Sequence, residues 1–242
     1  MGIGIGIGNI VTAATIVREL RARANPETAA VLQGFFRTGK GDYAEGDEFL
    51  GIKVPDSRAV ARTYAALPLK EIEKLLHSRY HEARLVALLI MVRAHQKGDA
   101  VTREQLHRLY LSNTQQINNW DLVDLSAEYL VGSHLGPGKH ALLTHLARSN
   151  VLWERRIAVL ATFHFIKQGY FAETLRIARM LLHDRHDLIH KAVGWMLREV
   201  GKRDQATEEQ FVAAHYKAMP RTMLRYAIER WPPRLRAEFM RK

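Results

Sequence analysis

What most limits the folds open to this chain is the spacing of its apolar residues, which keeps a helical period almost from end to end. From Asn9 onward, apolar side chains recur at three- and four-residue intervals, and no β-hairpin signature interrupts them. The breaks are brief: Gly132, Gly136-Pro137-Gly138, Gly169 and Gly201 each follow a periodic segment, where glycine ends helices. Helices are predicted over 10–23, 26–36, 55–66, 69–77, 80–95, 103–112 and 119–133. Others follow over 138–147, 152–168, 170–183, 188–201, 207–218 and 221–229, with a C-terminal tail after the last. Pro26 occupies a favoured first helical position, and Pro55 opens another helix. The main gap is 38–54, where Gly39, Gly41, Asp42, Gly46 and Asp47 supply turn chemistry.

The segments also repeat. His81-Glu82-Ala83-Arg84-Leu85-Val86-Ala87 resembles Trp153-Glu154-Arg155-Arg156-Ile157-Ala158-Val159, about two 36-residue units later, and the pattern returns near Leu188-Ile189-His190-Lys191-Ala192. Short helices with short connections at that period predict an all-α fold of stacked antiparallel pairs, a HEAT-like α-α superhelix. One such domain over 10–242 is expected behind a flexible tail at 1–9, where Gly and Ile alternate.

Several chemistries fall away early. The chain has no cysteine, which removes disulfides, thiolate nucleophiles and Cys-based zinc sites, and fits a reducing compartment. Its His residues form no HExxH or HxH pair, so no metal or cofactor is expected. No apolar run approaches the roughly 20 residues of a membrane span. Lys and Arg outnumber Asp and Glu by 36 to 25, and a net charge of +11 favours a polyanionic partner, most commonly nucleic acid. A cytoplasmic, nucleoid-associated monomer is the expected setting.

Against that background one stretch stands out: Asn118-Asn119-Trp120-Asp121-Leu122-Val123-Asp124-Leu125. On a helix capped near Asn118 or Asn119, Leu122, Leu125 and Tyr129 would make one apolar stripe, while Trp120 and Asp124 share the opposite face. Packing offers its own explanation, a Trp at a helix seam and an Asp favoured near a helix N-terminus. Arg155 and Arg156 lie on a helix that is otherwise apolar nearly all round, so each needs a partner, an acid such as Glu154 or Asp124, or a ligand. Gly194-Trp195 with Arg198 three residues on forms another pairing, with Gly194 permitting close approach of a neighbour. Trp120, Arg156 and Trp195 are each about one repeat apart, which would align them on one surface of a solenoid.

Taken together, these residues resemble the AlkD family of DNA alkylation-repair glycosylases. The resemblance runs from about Asn25 to Pro232 through five segments in order: Asn25-Pro26-Glu27, Phe49-Leu50-Gly51-Ile52-Lys53-Val54-Pro55, Asn119-Trp120-Asp121-Leu122-Val123-Asp124, Trp153-Glu154-Arg155-Arg156 and Lys191-Ala192-Val193-Gly194-Trp195-Met196-Leu197-Arg198-Glu199. It implies a catalytic cleft of Trp120, Asp124, Arg156 and Trp195, with Arg198 on DNA and Phe35, Lys53 and Arg155 as further contacts. Phe35 stands where the family's best-known form carries Tyr, and 37–48 is longer than the family pattern.

The implied activity is excision of cationic N3- or N7-alkylpurines from double-stranded DNA without flipping the base into a pocket, with Asp124 stabilising the sugar cation and placing water. Part of the family only binds DNA. A non-catalytic, structure-specific DNA-binding protein is therefore the second reading, and a HEAT scaffold for a protein partner the third. Base release separates the first from the second. A shallow dependence of affinity on salt would mark the third.

Overall fold

A computed structural model of the chain describes residues 11–241, so the expected tail at 1–9 lies outside the described residues. All regular structure among them is helical, apart from an isolated bridge between Glu48 and Tyr80. The fold class is all-α, as the periodicity implied. The chain gathers into two compact units that divide between Asn119 and Trp120.

The first unit contains α1 (Ala13–Ala22), α2 (Pro26–Phe35), α3 (Val54–Thr63), α4 (Leu69–Leu76), α5 (His81–Lys97) and α6 (Ala100–Ser112). Side-chain caps start three of these helices: Thr12, Asn25 and Asp99 accept from the backbone N–H three residues on. α5 is buried nearly all round and packs against α1, α3, α4 and α6. Its Glu82 carboxylate accepts the backbone N–H groups of Leu50, Gly51 and Ile52 at 2.8–3.1 Å, which ties down the connector before α3. By contrast, α2 buries none of its residues.

The second unit contains α7 (Trp120–Asp124), a π-helical turn (Glu128–Gly132), α8 (Ser133–Leu135), α9 (Ala141–Ala147), α10 (Leu152–Ala161), α11 (Phe163–Lys167), α12 (Ala172–Met180), α13 (Asp187–Gly201), α14 (Gln205–His215), α15 (Arg221–Ala227), a 3₁₀ turn (Ile228–Arg230) and α16 (Pro233–Phe239). α10 and α13 form its centre; they pack on each other, α10 also against α7, α9 and α12, and α13 against α12, α14 and α15. At Gly194 a Cβ would come within 2.5 Å of the Met223 carbonyl and of Tyr226 Cβ. The missing side chain is what lets α15 sit so close to α13.

Three sequence expectations change. The helix expected over 119–133 is interrupted at Leu125 and Ser126, because Ser126 Oγ bonds back to the Leu122 carbonyl at 2.5 Å and the chain continues as a π turn. The stripe of Leu122, Leu125 and Tyr129 is replaced by Leu122, Val123, Leu130 and Val131, all buried, while Leu125 and Tyr129 are half-buried. The helix expected over 152–168 breaks at Thr162, whose hydroxyl donates to the Val159 carbonyl at 2.7 Å. The supposed C-terminal tail holds α16, with Pro233 at its first position and Phe239 edge-on to Trp231 at 5.2 Å.

Candidate active site

The repeated segments begin α5 and α10, and each begins with the same brace. Arg84 donates to the Ser78 carbonyl at 2.8 Å and pairs with Asp47 at 2.7 Å. Arg155 donates to the Ser149 carbonyl at 3.0 Å and pairs with Asp184 at 2.6 Å. In this device the counterpart of Arg84 is Arg155, a register one residue shorter than the sequence comparison suggests. Arg156, about 100° further round α10, is left to face elsewhere.

It faces Asp124. Arg156 Nε donates to Asp124 Oδ1 at 2.8 Å and Nη2 to Oδ2 at 2.7 Å, a bidentate fork. The remaining Nη1 donates to the Leu188 carbonyl at 2.5 Å, in the first turn of α13. One guanidinium therefore links the last residue of α7 to α13. The Arg156 side chain is 6% exposed and that of Asp124 19%, so the cation is enclosed and the aspartate side chain is the more accessible of the two. Burial pushes the Asp124 carboxyl above its usual range, the Arg156 charge and hydrogen bonds oppose this, and nearby Asp121 adds to the upward push.

Two indoles belong to the same framework. Trp120 is half-buried one turn before Asp124 on α7, with the two Cβ atoms about 5–6 Å apart by helix geometry. Trp195 lies two turns beyond Leu188 on α13, about 10 Å along the axis. Its indole N–H donates to Glu199 Oε1 at 3.2 Å, and Phe163 packs against its ring at 5.9 Å between centroids. Glu199 is buried and also accepts from Lys202 and Arg203. Burial alone would raise its pKa; these cations and the Trp195 N–H hold it below the ordinary glutamate value.

Phe163 and Glu199 were absent from the expected site. The i, i+4 spacing of Glu199 from Trp195 was a usable signal. Phe163 offered none, since its orientation follows from the break at Thr162.

The second unit thus holds Trp120, Asp124, Arg156, Trp195 and Arg198. Arg155 is engaged by Asp184 and Ser149, so to reach DNA it would first have to release both. Phe35 and Lys53 belong to the first unit: Phe35 is 63% exposed near the end of α2, and Lys53 is exposed at the start of α3. Among the described residues no cluster of His, Asp and Glu is arranged to hold a metal ion.

The chain matches, over residues 16–231, the sequence pattern of the family described as DNA alkylation repair enzyme. It belongs to that family. No curated protein matches it. A solved structure described as a predicted DNA alkylation repair enzyme from Enterococcus faecalis shares the fold at a TM-score of 0.67 and 19% identity, covering 87% of this chain and 97% of that one. Membership of the DNA alkylation repair family carries a role in alkylation repair, enzyme status and DNA as partner. No helix among the described residues is long and apolar enough to cross a membrane.

Proposed function

We propose that this chain is a monofunctional DNA glycosylase that removes cationic N3- or N7-alkylated purines from duplex DNA. The observation that carries this reading is Asp124: a carboxylate gripped on both oxygens by Arg156 in a side chain that is still 19% exposed, with an indole one turn away.

Alkylation at N3 or N7 leaves the purine positively charged, so the base departs without needing a strong acid. As the C1′–N9 bond breaks, its electron pair goes to the base, which leaves neutral, and positive charge moves onto the deoxyribose. A carboxylate beside that sugar lowers the barrier. Two opposite charges about 4 Å apart at an effective dielectric near 20 interact by roughly 4 kcal/mol, which is about a thousandfold in rate. Water then adds its oxygen to C1′ and gives a proton to Asp124, from which it passes to solvent. The products are free alkylated base and an abasic site.

Arg156 fixes the direction of the carboxylate and works against burial in favour of its ionised form. Trp120 and Trp195 offer π faces and apolar edges to the sugar and the cationic base, each contact worth roughly 0.5–2 kcal/mol. Arg198 and Lys53 contact backbone phosphates, and Phe35 adds an apolar contact; Arg155 acts first as a brace for α10. A carboxylate that acts on the sugar has no need of a base-shaped pocket, in contrast to enzymes that extrude the base.

Incubation of the protein with methylated duplex DNA, followed by chromatography of the released bases, tests the proposal. Release of 7-methylguanine or 3-methyladenine with matching abasic sites is expected. Binding to duplex with no released base would leave the non-catalytic DNA-binding reading in its place.

A further inference from the structure

Four cations on or just beyond α13 have an acidic partner, and one of them differs from the rest. Lys191 pairs with Asp187, and Lys202 and Arg203 with Glu199, all within a turn of the same stretch of chain. Arg198 alone among these four draws its acid from another element: Glu229, on the 3₁₀ turn after α15. That turn is firmly seated. α15 rests against the bare backbone of Gly194, and beyond the turn the Trp231 indole N–H donates to Glu208 at 3.0 Å.

The exposures within the pair are unequal. The Arg198 side chain is 20% exposed and that of Glu229 is 55%, so the acid is much the more solvent-accessible of the two. Arg198 Nε is buried and has no hydrogen-bond partner among the described residues, leaving part of the donor fork uncommitted. Trp195 sits one turn earlier on the same face of α13. An anion reaching Arg198 would arrive beside that indole, and would compete with Glu229 for the guanidinium.

We propose that Glu229 is a built-in stand-in for a DNA phosphate, a specificity-determining residue that holds Arg198 until a backbone phosphate displaces it. This rests on reading the second unit as a DNA-binding surface. With its cation already satisfied, undamaged duplex gains little from the exchange. Damaged duplex, held also through Asp124 and the indoles, can bear the cost of displacing the acid.

The test is a double-mutant cycle read by affinity for undamaged duplex over a range of salt. Glu229→Gln is expected to tighten binding about threefold, the scale of an exposed ion pair. The slope of log K against log salt stays nearly unchanged, because the phosphate sheds its counter-ion in either protein. In an Arg198→Gln background, or with Arg198→Met if that variant folds poorly, the same change at 229 has no effect. An equal gain with and without Arg198 would mean a diffuse charge effect and would overturn the inference while leaving the DNA-binding reading intact. No change on Glu229→Gln overturns it equally. Failure of the wild-type protein to bind duplex at all would remove both.

Discussion

Each unit of the molecule contains a buried arginine paired with an aspartate from another element, and the two aspartates live differently. In the first unit Asp47 receives Arg84 at 2.7 Å, Asn118 Nδ2 at 2.9 Å and the His81 ring at 3.4 Å. In the second, Asp124 receives only Arg156 among its described hydrogen-bond partners. Burial raises the pKa of both carboxyls. For Asp47 the His81 hydrogen bond, the Arg84 charge and the Asn118 amide outweigh it, and the net direction is downward. For Asp124 burial outweighs Arg156, and the net direction is upward. The Asp47 side chain is 5% exposed against 19% for Asp124. A carboxylate given every available donor stabilises its fold. One given a single cation, in a more accessible side chain, keeps capacity to act on something else.

Stability separates the two pairs most strongly. Replacing Asp47 by Ala strands Arg84 and should cost about 3–5 kcal/mol in chemical denaturation. Because its pKa is lowered, the Asp47 contribution is present above the unfolded value of 3.8 and is lost as pH falls through the lower folded value. Asp124 has the opposite sign. Relative to the unfolded chain the folded state favours its neutral form, so Asp124→Asn should cost less stability at neutral pH than Asp47→Ala, though Arg156 loses its counter-ion. A large loss in that variant would erase the distinction between the two pairs.

Glu208 sharpens the same point, being enclosed like Asp47 but raised like Asp124. Burial pushes its carboxyl to about 7, and Oε1 has no hydrogen-bond partner among the described residues. Between the unfolded value of 4.5 and about 7 the folded protein holds a proton that the unfolded chain has released. Stability should therefore fall as pH rises through that window and level off above it, by about 3 kcal/mol. Denaturation of Glu208→Gln at several pH values should show the decline removed. A raised pKa, then, does not by itself mark a reacting group; the greater exposure of the Asp124 side chain is what separates it from Glu208.

Smaller effects are expected around the indole. Glu199→Gln weakens the hold on the Trp195 N–H and on two cations, and should lower the rate of base release about tenfold, roughly 1.4 kcal/mol. Active in its ionised form, Asp124 should also give base release an acid limb at a pH above that of an ordinary aspartate, with activity lost as pH falls through it.

Much of this was legible in the residues. The Asn25-Pro26 start of α2 and the Gly201 end of α13 follow from local backbone chemistry. Asp124 and Arg156 stood out because a charged pair on apolar helices needs an answer, and the structure makes each the answer to the other. The breaks at Ser126 and Thr162 were hidden, since a hydroxyl bonding back to its own helix carries the same residue spacing as one facing solvent. Pro232-Pro233 reads equally as a stop and as a start, and the packing of Trp231 on Phe239 decides between them. Asp184 as the partner of Arg155, and Glu229 as that of Arg198, depend on tertiary placement that no periodicity encodes.

In the proposed reaction the Asp124 carboxylate, and not DNA binding alone, drives loss of the base. Single-turnover release of 7-methylguanine from duplex DNA by Asp124→Asn tests it directly. A rate about a thousandfold below wild type is expected, with duplex affinity largely retained. Release at the wild-type rate would contradict it.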